Sequence, residues 1–155
     1  MNQIITQHGW AFDSSLWKEL KNIYIKNNWI WQDNERGYFK KTFTSPKWIN
    51  NNSYKRKNII IIHSLGIHLI DKNILMNASH AIFINSFYQF IPNNKDRKLI
   101  MRSLERMKKK LNNQEFKLML SEFYKNSFFP NEINLNYQKT ISSKLDNANI
   151  SHLKN

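Results

Sequence analysis

Runs apolar on both faces alternate, over the first ninety residues, with stretches in which apolar side chains return every three or four positions. Ile4-Ile5 opens a short strand that breaks at His8-Gly9-Trp10, where glycine permits a turn most residues resist. Asp13 or Ser14 is placed to cap a helix with Leu16, Trp17, Leu20, Ile23 and Tyr24 on one face, ending near Asn27-Asn28. Trp29-Ile30-Trp31 reads as a second strand, followed by a polar turn from Asp33 to Gly37. Residues 40–56, with Pro46, Trp48 and the Asn50-Asn51-Asn52-Ser53 run, predict a short helix or loop.

The strongest signal lies between Lys57 and Ile70. Four consecutive isoleucines, Ile59 to Ile62, are stiff at χ1 and suit a strand buried from both sides. His63, Ser64 and Gly66 then interrupt, and Ile67, Ile70, Ile74 and Leu75 recur at helical spacing. The pattern predicts strand, sharp turn and helix, with Ser64 at the corner. Ala81 to Asn85 reads as a further buried strand.

This alternation predicts an α/β fold: an open, mostly parallel sheet whose right-handed crossovers put helices on both faces. Beyond Pro92 the period is helical. Ile100, Leu104, Met107 and Leu111 form one stripe, and Asn113 is placed to cap a second helix with Phe116, Met119, Leu120 and Phe123 inward. Residues 131–155 are polar and predict no core contribution. One core is expected, with residues 1–90 carrying the strand–helix alternation and 91–155 a helical insertion and polar tail; there are no internal repeats.

Charge changes the picture in one place. Lys and Arg number 24 against 11 Asp and Glu, a formal net charge of +13, which favours nucleic acid, an anionic membrane or an acidic protein as partner. Arg97, Lys98, Arg102, Arg106, Lys108, Lys109 and Lys110 crowd the polar face of the first insertion helix. Lys, Asn and Ile are plentiful throughout, so a solvated face swollen by composition explains the same run. A small basic nucleic-acid-binding protein is a third option, but the aromatics fall at apolar helix and strand positions and no nucleic-acid motif is present. Cysteine is absent. The N-terminus has neither a basic start nor an apolar core of signal-peptide length, and residues 59–70 are too short to span a bilayer. A soluble, cytoplasmic protein without membrane attachment is expected, and no metal or cofactor.

Ser64 is the candidate for chemistry. A serine on a tight strand-to-helix corner projects clear of the sheet, with the following N–H groups aimed at what it attacks. The usual pattern is G-x-S-x-G; here Ile62-His63-Ser64-Leu65-Gly66 keeps the second glycine and has isoleucine for the first. Taken alone, S-x-G also fits an ordinary turn serine after a buried strand. Together, His8-Gly9-Trp10 after the first strand and His63-Ser64-Leu65-Gly66 at the corner resemble the α/β-hydrolase superfamily. The order His-Gly-Trp-Ala-Phe-Asp-Ser-Ser-Leu-Trp, then Asp33 to Gly37, the serine corner and the helical insertion, is similar to the carboxylesterases of biotin synthesis that hydrolyse pimeloyl-[acyl-carrier-protein] methyl ester.

The resemblance, which covers residues 1–130, implies a partial α/β-hydrolase fold with a helical cap insertion. It implies Ser64 as nucleophile, the backbone N–H groups of Trp10 and Leu65 as the oxyanion hole, and the Trp10 and Leu65 side chains lining an acyl pocket. A core tryptophan remains the alternative for Trp10. Arg97, Arg102 and Arg106 would face an acidic acyl-carrier-protein-linked ester, arginine's fixed fork suiting phosphate and carboxylate groups.

The expected order of serine, then acid, then histidine is not met. After Ser64 come His68, one turn into the corner helix, His80 just before a strand, and His152 in the tail; Asp146 has no apolar lead-in. His8 belongs to the first motif, and strand alternation directs His63 to the side opposite the serine. The triad acid and base are therefore not found. The chain is expected to end before the last strands of such a fold, either as a truncated gene product or as a fragment. A catalytically incomplete hydrolase without activity stands beside the esterase as an expectation.

Overall fold

In a computed structural model of the chain, residues 1–39, 42–49, 56–113, 115–133 and 135–154 are described. The isoleucine-rich runs pair into a sheet of four strands, β1 (Gln3–Gln7), β2 (Ile30–Asn34), β3 (Asn58–His63) and β4 (His80–Ile84), in the order β2-β1-β3-β4. All three pairings are parallel, with Ile5 opposite Gln32 and Ile60, and Ile61 opposite Ile82. The architecture is α/β, as the alternation of periods predicts.

Alternation along β1 and β3 divides the apolar residues between two faces. Ile4 and Ile61 pack with Trp17 and Trp31 on one, joined by Leu20, Tyr24, Trp29 and Ile59. Ile5, Ile60 and Ile62 pack with Ile74 on the other, joined by Trp48, Ile67, Ile70, Leu75 and Ala78. Burying an isoleucine of this kind contributes roughly 1.5–3 kcal/mol. The most enclosed strand is β1, buried along its whole length, polar residues included. Those polar groups are satisfied. Gln3 receives the Ile49 N–H on Oε1 and donates to the Lys47 carbonyl, Gln7 donates to the His8 carbonyl and receives Asn34 Nδ2, and Thr6 donates to Asp33.

The first crossover begins as a 3-10 turn, Ser14–Trp17, capped by Asp13, which accepts the Ser15 N–H; it continues as α1 (Lys18–Lys26). Trp17, Leu20 and Tyr24 form a stripe narrower than the sequence suggests, and Leu16 and Ile23 fall outside it, exposed. The expected turn at Asp33 starts later, since Asp33 and Asn34 belong to β2. Its carboxylate is held in the strand by Thr6, Trp31 Nε1 and Lys21. In the segment expected as helix or loop, residues 42–49 have no regular structure; residues 40, 41 and 50–55 lie outside the described residues.

The helix expected after Ser64 is a 3-10 segment, Ser64–His68, followed by α2 (Lys72–Met76). Asp71 divides them because its side chain accepts the Asn73 N–H and starts the helix afresh. The apolar spacing survives the break, so Ile67, Ile70, Ile74 and Leu75 all reach the same cluster. β4 departs from expectation more sharply. It is a strand, but all five residues are exposed, Phe83 at 52 %. It pairs with β3 alone, at the sheet edge beyond both clusters.

Residues 1–37 and 41–90 make one compact unit, and residues 38–40 and 91–155 another. The second contains α3 (Arg97–Asn112), α4 (Phe116–Phe128), α5 (Leu135–Asp146) and α6 (Ile150–Leu153). Ile100, Leu104, Met107 and Leu111 turn inward on α3, as their spacing predicts. Asn113 ends α3, and Glu115 precedes α4 in place of the expected Asn113 cap. The C-terminal stretch contributes to the core against expectation: Ile141, Leu153 and the Lys144 stem are buried, with Lys144 Nζ 5.7 Å from the centre of the Phe39 ring. The Asn149 N–H donates to the Tyr38 carbonyl, tying the residues after β2 into this unit. No helix among the described residues is long and apolar enough to cross a membrane.

Candidate active site

In the order β2-β1-β3-β4 the chain leaves β1 toward one side of the sheet and later returns to build the other side from β3. The carboxyl ends of β1 and β3 therefore flank a topological switch point, the place where open α/β sheets form a crevice. Both sequence motifs end there. His8-Gly9-Trp10 follows β1, and Ser64-Leu65-Gly66 follows β3.

Two glycines set how closely the loops meet. A Cβ on Gly9 would stand 2.9 Å from Ser64 Cβ, 3.2 Å from the His63 carbonyl oxygen and 3.3 Å from His63 Nδ1. A Cβ on Gly66 would stand 2.8 Å from Gln7 Cγ and 3.1 Å from the carbonyl oxygens of Gln7 and His8. Each glycine of the two motifs thus lies against the other motif's loop or strand end.

Three of the four non-glycine residues with positive φ among the described residues follow the carboxyl ends of strands, and the fourth, Asn28, precedes β2. His63 is extended, Ser64 turns to φ 53°, and the 3-10 segment begins. A left-handed conformation costs a residue with a Cβ roughly 1–2 kcal/mol. Ala11, four residues past β1, has φ 56°, and Asn85, directly after β4, has φ 48°. Such residues persist only where surrounding contacts hold them. Trp10 lies in the turn closed by the Phe12 N–H donating to the Gly9 carbonyl, and it is half-buried, as is Leu65.

Beneath these loops sits a buried His8–Glu35 pair. His8 Nδ1 is 2.9 Å from the Gly9 carbonyl, which only accepts, so Nδ1 carries a proton. Nε2 is 3.2 Å from Glu35 Oε1 and 3.3 Å from the Arg36 N–H. The Arg36 N–H donates to Nε2, and the Glu35 carboxylate stands beside the same nitrogen. Glu35 also accepts the N–H groups of Ser14, at 2.9 Å, and Gly37, at 3.2 Å. Burial by itself would raise the Glu35 carboxyl. The hydrogen bond from His8, the Ser14 N–H and the His8 charge together outweigh it and bring the pKa from 4.5 down to about 2. Sequence reasoning missed Glu35, because a glutamate in a polar turn carries no mark of burial.

The side chain of His63 does not point away from the serine loop as strand alternation predicts. Its ring lies edge-on to Phe12, with centroids 5.1 Å apart, and its Nδ1 borders the space in front of Gly9. The alternation rule stops applying because Ser64, with its left-handed φ, has already left the strand. His63 Nδ1 is buried and has no hydrogen-bond partner. Burial, then the charge of His8, lowers its pKa below 6.5.

The chain matches no described protein family and no curated protein. Arg97, Arg102 and Arg106 are exposed on α3 of the helical unit. Asp146 is on α5 and pairs with Lys117 at 2.7 Å, and His152 is on α6. Among the described residues, no group of three or more His, Asp or Glu side chains is placed to hold a metal ion. Among the described residues, a groove of about 610 Å³ in the sheet unit is lined by Pro46, Trp48, Asn58 and Ile74, and one of about 570 Å³ in the helical unit lies between α4 and α5 beside Phe129 and Pro130.

Proposed function

We propose that the protein is a carboxylesterase-type serine hydrolase with Ser64 as nucleophile. The observation that carries this reading is the Ser64 backbone, held at φ 53° at the carboxyl end of β3, beside the switch point and against Gly9. An ordinary turn serine has no need of a conformation that costs it energy. The Ser64 oxygen attacks an ester carbonyl, and the charge that develops on the carbonyl oxygen is held by the N–H groups of Trp10 and Leu65. Each such donor is worth about 3–4 kcal/mol in the transition state. The alcohol leaves, and water then cleaves the acyl-enzyme.

Labelling of the intact chain with a fluorophosphonate tests this directly. We expect one phosphonyl adduct on Ser64 in the wild-type protein and none in Ser64→Ala. An unlabelled wild type would sink the proposal.

The finer reading is a methyl ester carried on acyl carrier protein, the pimeloyl ester of biotin synthesis. Its support is the similarity of the motif order and the exposed Arg97, Arg102 and Arg106 on α3. Arg102→Glu together with Arg106→Glu should reduce turnover of a carrier-linked ester about tenfold at low salt and leave a small soluble ester unaffected, the gap closing as salt rises. Equal rates for wild type and variant on both esters would remove the carrier from the proposal.

A second reading, a catalytically incomplete hydrolase without activity, is favoured by the histidines after Ser64. The His68 ring lies tilted against Phe87 with Nε2 3.2 Å from the Phe87 carbonyl, and His80 opens β4, at the opposite end of the strands from Ser64. Asp146 is paired with Lys117 at 2.7 Å.

A further inference from the structure

A serine hydrolase needs a group to take the hydroxyl proton, and the described histidines narrow the choice. Both ring nitrogens of His8 are occupied, by the Gly9 carbonyl and by Glu35. His68 is committed to Phe87. His80 sits opposite Ile59 at the start of β3, a full strand length from Ser64, and its Nδ1 contacts Ser79 Oγ at 3.0 Å. His63 is different in kind. Its Nδ1 is buried, without a hydrogen-bond partner, and borders the same small space as Ser64.

We propose that His63 Nδ1 is the proton acceptor for Ser64, so that the base of this site precedes its nucleophile by one residue. The position a Gly9 Cβ would fill is 2.9 Å from Ser64 Cβ and 3.3 Å from His63 Nδ1. Because Gly9 has no side chain, that volume stays open between Ser64 Cβ and His63 Nδ1. The Oγ–Nδ1 bond is not made in the free chain. Rotation about the serine χ1 is the movement that would close it, as catalytic hydrogen bonds often form only when substrate binds. An unpartnered buried ring nitrogen is costly to keep, and a role in proton transfer accounts for it.

Around the ring stand Phe12, edge-on, and Gly9; the nearby charges are His8 and its partner Glu35. Burial, then the His8 charge, favour the neutral His63 ring; the role proposed for it needs the remaining proton on Nε2 and Nδ1 bare. In acylation the Ser64 Oγ–H proton passes to Nδ1 as Oγ bonds to the carbonyl carbon. Collapse of the intermediate breaks the carbon–alcohol bond, and the same proton leaves with the alcohol. Water repeats the sequence on the acyl-enzyme and regenerates Ser64.

This inference rests on the reading of Ser64 as nucleophile, and one experiment separates the two. The rate of fluorophosphonate labelling is measured from pH 4 to 9 for the full-length wild type, Ser64→Ala, His63→Asn and His63→Phe, the last keeping an aromatic edge against Phe12. His63 is titrated in parallel by NMR. We expect wild-type labelling to fall on the acid side with the midpoint of His63 itself, below 6.5, and both His63 variants to label about 100-fold more slowly without that inflection. If the wild type is labelled, Ser64→Ala is not, and the His63 variants keep the wild-type rate and profile, His63 is not the base although Ser64 is the nucleophile. If the wild type is never labelled, both fall. Should neither variant fold, a wild-type labelling midpoint that differs from the NMR midpoint of His63 overturns the assignment.

Discussion

Glu35→Ala is expected to cost about 3–5 kcal/mol of stability, because it leaves His8 buried without its partner carboxylate and strips acceptors from the Ser14 and Gly37 N–H groups. Glu35 ties β1 to β2 through His8, and the first crossover through Ser14. Its loss should therefore loosen the Gly9 loop as well as the turn after β2. Urea unfolding followed by the fluorescence of Trp17 and Trp31, both buried on one face of the sheet, measures the change.

The same residue sets an acid limit. Its pKa is about 2 in the folded chain and 4.5 when unperturbed, so between those values the unfolded state binds the extra proton. The stabilisation is complete above pH 4.5, is lost as pH falls toward 2, and amounts to about 3 kcal/mol from the size of the shift. Glu35→Gln keeps acceptor oxygen for part of the network and removes the titration. Its stability should change less than that of the wild type over this interval, and parallel pH curves for the two proteins would contradict the ion pair.

Gly9→Ala carries the second large effect. The new Cβ would meet Ser64 Cβ at 2.9 Å, with the His63 carbonyl and Nδ1 just beyond, so the serine corner has to move. Overpacking of this kind costs about 1–3 kcal/mol. The effect on Ser64 should be larger than the effect on stability: labelling is expected to fall at least about 100-fold, since a displacement of about 1 Å at a reacting atom is enough for that loss. Gly66→Ala makes the informative comparison. Its Cβ meets Gln7 and the Gln7 and His8 carbonyls, away from the serine side chain. It should cost a similar amount of stability with a smaller loss of labelling. Equal labelling by wild type and Gly9→Ala would mean that the Gly9–Ser64 contact does not organise the site.

Elements whose partners are near in sequence were legible from it. The four isoleucines before His63 suit β3 and nothing else, and the stripe Ile100, Leu104, Met107 and Leu111 suits one helix face. Asp13 could be read as a cap because its acceptor serves an N–H two residues away. Burial was less legible. β4 carries the same apolar signature as β3 yet is exposed at the edge, since propensity reports a strand and not its place in the sheet. The polar tail hid α5 and α6 because the burial of Lys144 depends on its aliphatic stem and on Phe39, more than a hundred residues earlier.

The same division runs through the site. By itself the sequence determined that His8-Gly9-Trp10 and Ser64-Leu65-Gly66 each follow a strand, since period, β-branching and glycine placement are local properties. Only the tertiary structure decided that the two segments meet, because strand order is a choice among pairings distant along the chain. It also decided that Glu35 is buried against His8, and that the left-handed turn at Ser64 leaves His63 facing Gly9. Those contacts depend on where β1, β2 and β3 come to lie side by side, and no local pattern of residues encodes that arrangement.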